Sequence, residues 1–167
     1  MYRRALLVVA SAALLVACDD RPEIPGSYPQ LEDDEARIVF TVDGAAQEAK
    51  ADSGITFDGS YGAFRLLIAG PPSVGVWFPE KTAGSFAGDA ETTSVRLMFS
   101  DAFTSSNCFS NAMGALSITV AGIVDNDSDS YLYGDFEGLV CDTGTPVTTR
   151  TMKGQFSARL DVESQDF

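Results

Sequence analysis

The sequence predicts an all-β domain over residues 37–167, an antiparallel β-sandwich with a small β-barrel as the alternative. Three observations carry this. From Arg37 onward apolar and polar residues alternate with a period of two, the pattern of strands with one buried face. Clusters of Gly, Ser, Pro and Asp separate the alternating runs at intervals of roughly 8–14 residues, as in sandwiches and barrels built from short strands. No window of useful length repeats its apolar residues at the helical period.

Taken in order, Ile38, Phe40 and Val42 form the first alternating run, and Asp43-Gly44 supplies a hairpin turn after it. Ile55-Phe57, Phe64-Leu66-Ile68, Val74-Val76-Phe78 and Val95-Leu97-Phe99 continue the pattern. Leu116, Ile118 and Val120 point one way. After the polar stretch Asp125 to Ser130 come Leu132, Gly134 and Phe136, and Phe156, Ala158, Leu160 and Val162 close the series. In this last run the intervening Gln155, Ser157, Arg159 and Asp161 are polar, so the C-terminal third reads as an antiparallel meander with one face in the core.

Residues 1–36 have a different grammar. Arg3 and Arg4 precede an apolar run from Ala5 to Val16, shorter than the roughly 20 residues that cross a bilayer. Leu15-Val16-Ala17-Cys18 ends it, and this stretch resembles the lipobox of a bacterial lipoprotein signal peptide. The resemblance implies that residues 1–17 are a signal peptide and that Cys18 carries diacylglycerol and becomes the first mature residue. The membrane partner is then reached through a lipid anchor, with the domain in the cell envelope facing the periplasm. Asp19 favours the inner membrane, with the outer membrane as the alternative. Residues 18–36, rich in Pro and acidic side chains without apolar periodicity, read as a lipidated flexible tether.

Three further segments, IVFTVDGAAQEA, GALSITVAGIVDNDSDSYLYGDFEGLVCDTG and MKGQFSARLDV, resemble small bacterial lipoproteins of unassigned function. Those proteins share a strand-Asp-Gly start, a long acidic hairpin and a terminal Gly-x-Phe strand. The resemblance implies a β-sandwich and transfers no catalytic residue.

Composition excludes several function classes. Lys and Arg number 11 against 24 Asp and Glu, a net charge of −13. Removal of residues 1–17 takes Arg3 and Arg4 and deepens the excess, which disfavours nucleic acid and anionic headgroups as partners. There is no histidine, which removes Ser-His-Asp and Cys-His nucleophiles and histidine-ligated metals. With Cys18 assigned to lipid, Cys108 and Cys141 remain as a pair, most simply a disulfide in an oxidising compartment. No cofactor is expected.

Asp125, Asp127 and Asp129 have the alternate spacing that opens a calcium loop, but Ser130 and Phe136 stand where an EF-hand needs its glycine and bidentate glutamate. The reading is a metal-free polar hairpin, with a weak calcium site as the alternative. Tyr131 and Tyr133 lie opposite Leu132 and Phe136, and Trp77 lies opposite Val76 and Phe78. These three aromatics are the expected ligand or partner surface, and segments 74–78, 104–110 and 131–137 the expected recognition surface. Asp135 and Glu137 share a strand face at about 7 Å, a spacing that serves glycoside hydrolysis when one carboxyl holds a proton. The expected role is non-enzymatic: an envelope-anchored module that binds another envelope protein or a ligand, or serves structurally. A polysaccharide hydrolase using Asp135 and Glu137 is the alternative.

Cys18→Ala is expected to abolish the incorporation of a palmitate analogue that the wild-type chain shows on metabolic labelling.

Overall fold

The computed structural model describes residues 23–31, 35–111, 113–125 and 129–161. The strands are Ala36–Val42 (β1), Ala45–Ala51 (β2), Thr56–Asp58 (β3), Ala63–Ile68 (β4), Val74–Phe78 (β5), Gly84–Gly88 (β6), Arg96–Phe99 (β7), Phe103–Thr104 (β8), Leu116–Asp125 (β9), Ser130–Cys141 (β10) and Thr149–Leu160 (β11). One short helix, Ser105–Ser110 (α1), lies between β8 and β9. Every strand pair is antiparallel.

Two layers result. The first runs β2-β1-β11-β10-β9-β6, and the second runs β8-β7-β5-β4-β3. They share a corner where β10 extends past β9 and Cys141 pairs with Thr104 of β8. A parallel bridge from Ile55 to Leu160 ties a second corner. The sheet does not close on itself, so the architecture is the β-sandwich and not the barrel. Between β1 and β2 the turn residues Asp43 (φ 50°) and Gly44 (φ 83°) both take positive φ, the backbone that a two-residue hairpin requires and that Asp-Gly accepts readily.

The core lies where the alternating apolar sets of the two layers meet. Phe40, Leu132, Phe136, Met152 and Phe156 of the first layer face Leu66, Val76, Phe78 and Leu97 of the second, all of them buried. Phe78 stacks on Phe156 with ring centroids 5.9 Å apart. Room for these rings comes from glycine. Gly154 of β11 stands in register between Phe40 of β1 and Phe136 of β10, and a Cβ there would lie 2.5 Å from the Phe40 Cβ and 2.8 Å from the Phe136 ring.

The stretch Thr104 to Cys108 has a loop composition, yet α1 occupies Ser105–Ser110. Thr104 caps it by accepting a hydrogen bond from the Asn107 backbone N–H at 3.3 Å. Ser, Thr and Asn suit both loops and helix N-caps, and six residues are too few for an apolar period to register. The helix turns Ser105 and Cys108 inward. The Ser105 hydroxyl accepts from the Leu97 N–H at 3.0 Å, and Cys108 forms the expected disulfide with Cys141, Cα to Cα 5.0 Å. On a chain-entropy view, closing this loop of 33 residues stabilises the fold by roughly 3–4 kcal/mol.

Gly154→Ala is expected to lower unfolding stability by about 1–3 kcal/mol through overpacking, measured by urea denaturation. Gly59→Ala, whose added methyl meets nothing within 4 Å, is expected to change it little.

Candidate functional site

The outer face of the six-stranded layer is built from the strand positions opposite the core. Register lines these side chains up in rows. Val39, Gln155, Asp135, Thr119 and Ser85 cross the sheet in one row, and Thr41, Lys153, Glu137 and Ser117 lie alongside in the next. All of them but Ser85 floor an open groove of about 630 Å³. Its polar groups hold one another. Gln155 Nε2 donates to Asp135 Oδ1 at 3.1 Å, Lys153 Nζ pairs with Glu137 Oε2 at 3.2 Å, and the Ser85 and Thr119 hydroxyls share a hydrogen bond at 3.0 Å. Val39, 42 % exposed, is the main apolar surface among them.

A strap of chain bounds the groove. Residues 23–31 fall within the stretch expected to be a flexible tether, yet they fold against this face. The Tyr28 N–H donates to the Pro25 carbonyl at 2.9 Å, and Gln30 Nε2 reaches the carbonyls of Ile24, Pro25 and Tyr28. Arg37 Nη1 donates to the Gln30 carbonyl at 2.9 Å, pinning the strap to β1. Ile24 and Pro29 are buried, which a composition rich in Pro and acidic side chains does not announce.

Tyr28 is the point of contact with the groove. Its hydroxyl donates to Asp135 Oδ2 at 2.9 Å, and its ring lies 4.8 Å from that of Tyr133, tilted by 53°. Tyr133 in turn lies across β9 at Gly122, whose missing Cβ leaves room for the phenol. Between Arg37 and Tyr133 in the third row stands Ser157, an outer-face residue with no exposed surface. Its hydroxyl has no hydrogen-bond partner. Burial, followed by the Asp135 carboxylate as acceptor and neighbour, raises the Tyr28 phenol above its ordinary value.

The other expected aromatics separate. Tyr131 shares the outer face of β10 with Tyr133 and is half-buried. Trp77 lies on the outer face of the second layer and is only 6 % exposed. Its indole N–H donates to Asp58 Oδ2 at 3.2 Å, its ring fills the space over Gly75, and the Tyr61 ring meets it edge-on at 6.3 Å. Trp77 therefore belongs to a different face from Tyr131 and Tyr133. Cys18 and Asp127 lie outside the described residues; Asp125 and Asp129 flank the hairpin between β9 and β10. Among the described residues no three His, Cys, Asp or Glu side chains converge as metal ligands do.

The groove's Gln155, Lys153, Ser117 and Thr119 carry a signal in the sequence, the polar half of each strand's alternation, but nothing that separates a groove from any solvated face. Tyr28 carries a fainter one, an aromatic between prolines.

Strap docking carries a pH signature. Because the docked phenol is favoured in its protonated form, its contribution is fully present below the ordinary tyrosine range near 10 and is lost as pH rises through the raised value. Absorbance titration is expected to show a late phenolate transition that Tyr28→Phe removes. Hydrogen exchange at 23–31 is expected to quicken in the same variant.

No family model, no curated protein and no solved structure matches this chain.

Proposed function

We propose that this protein is a lipid-anchored module of the bacterial cell envelope that binds a ligand or partner protein, without catalysis, across the outer face of its six-stranded layer. One observation supports this above the others: the face already holds a ligand-like group. Tyr28 presents a hydroxyl-bearing ring to an acceptor, Asp135, which Gln155 holds in place, against an aromatic wall, Tyr133. The groove beside it adds hydroxyls, one ammonium and an exposed valine. That mixture suits a polar chain with some apolar surface, such as a glycan or an extended peptide.

The anchor at Cys18 and the periplasmic setting rest on the lipobox resemblance, and the disulfide agrees with an oxidising compartment. The second reading, hydrolysis of an envelope polysaccharide, is favoured by the fact that Asp135 and Glu137 both line the groove. Against it, a glycosidase encloses its acid in apolar surroundings. The Glu137 side chain is instead 61 % exposed and paired with Lys153, and Asp135 accepts two hydrogen bonds from its own chain.

Photo-crosslinking groups at Val39 and Thr119 in the full chain are expected to capture envelope material that the same group at Gly59 does not. Equal capture at all three would refute the binding face. Release of soluble fragments from purified envelope polysaccharide, lost in both Asp135→Asn and Glu137→Gln, would establish the hydrolase instead.

A further inference from the structure

A second feature lies on the other layer, away from the groove. Arg96 opens β7 and stands beside Trp77 in the register. Its guanidinium carbon sits 4.1 Å from the Tyr61 ring centroid and 5.7 Å from that of Trp77. Every other described arginine has a carboxylate: Arg37 has Glu48, Arg65 has Asp58, Arg150 has Asp43, and Arg159 has Glu35 and Asp161. Arg96 has none. In a chain with 24 acidic and 11 basic residues, that is not a shortage of acids.

Stacking on an aromatic ring occupies the face of a guanidinium and leaves its N–H edge free. Arg96 lines a cavity of about 420 Å³ between the loop after β6, β7 and α1, lined also by Asp89, Thr93, Ser106 and Phe109. The hydroxyls of Thr93 and Ser106 make no hydrogen bond with described residues. Asp89, the acid in the lining, has Oδ1 engaged by the backbone N–H groups of Glu91 and Thr92, each at 2.9 Å, and by the Thr92 hydroxyl at 2.7 Å. The disulfide fixes α1, and with it Ser106, against this cavity.

We propose that this cavity binds a small molecule bearing an oxyanion, a carboxylate or a phosphate, which Arg96 grips edge-on through two N–H groups while Thr93 and Ser106 donate to the further lone pairs of the carboxylate or to the remaining oxygens of the phosphate. A fork held flat by a ring is matched to such groups in a way that a mobile ammonium is not. The site shares no residue with the groove, so either stands if the other falls.

Trp77 makes the test direct, because it is the single tryptophan of the chain and touches the arginine. The mature protein would be titrated with inorganic phosphate and, separately, with acetate, at constant ionic strength, while tryptophan emission and the Arg96 Nε–H resonance are followed. A saturable change is expected with at least one anion, and the anion that saturates identifies the chemistry. Arg96→Lys, which keeps the charge and loses the fork, is expected to weaken binding about tenfold. Arg96→Gln should abolish it, whereas Arg37→Gln should not. No saturation in either signal with either anion, or binding equal in Arg96→Gln, would overturn the proposal.

Discussion

The packing of Phe40, Gly154 and Phe136 is the contact on which the rest of the first layer depends. Three neighbouring strands meet at one inward position, and only two rings fit there because the residue between them has no side chain. With the rings interleaved, β1, β11 and β10 hold a single register along their length. Since side-chain direction alternates along a strand, that register also decides which residues point outward. Asp135, Gln155, Lys153 and Glu137 stand in adjacent rows on the outside because their neighbours are locked on the inside. A one-residue slip would scatter the groove and bury its charges.

Much of this was legible in the sequence and some was not, for different physical reasons. The strands at Ile38-Phe40-Val42, Leu66-Ile68, Val76-Phe78 and the C-terminal meander announce themselves because one buried face forces a period of two. The Asp43-Gly44 turn is readable because few residue pairs accept positive φ twice. By contrast β2, with the sequence Ala45 to Ala51, has no apolar alternation; it lies at the edge of its layer and owes its place to pairing with β1. The helix α1 is too short to show a period and depends on the disulfide and the Ser105 hydrogen bond. The Tyr28 strap is tertiary in origin, because its composition is that of a tether and its hold comes from Asp135 and Tyr133 of β10 and Arg37 of β1. The roles of Trp77 and Tyr133 also depended on what covered them, which no local pattern encodes: Tyr61 closes over one and Tyr28 over the other.

The two candidate sites illustrate two ways in which an acidic β-sandwich arranges polar chemistry. On the first layer the groups are paired with one another, and an arriving ligand must exchange partners with residues already satisfied. Such exchange favours shape and register over raw affinity, since every bond gained replaces one lost. On the second layer a cation is stacked on a ring and makes no ion pair with a described carboxylate. Its charge is then not spent on a carboxylate of its own chain.

The strap also sets a distance. With the proposed lipid on Cys18 and Glu23 already at the domain surface, the four residues between them, five Cα-to-Cα steps, allow a reach of at most about 18 Å. Were Tyr28 to leave Asp135 and residues 23–31 to peel away, the same chain would run from Cys18 to Glu35, and the limit would rise to about 60 Å. A single phenol and a few buried apolar side chains would then act as a latch on leash length, so that occupation of the groove by a competitor is converted into a longer excursion of the domain from its membrane.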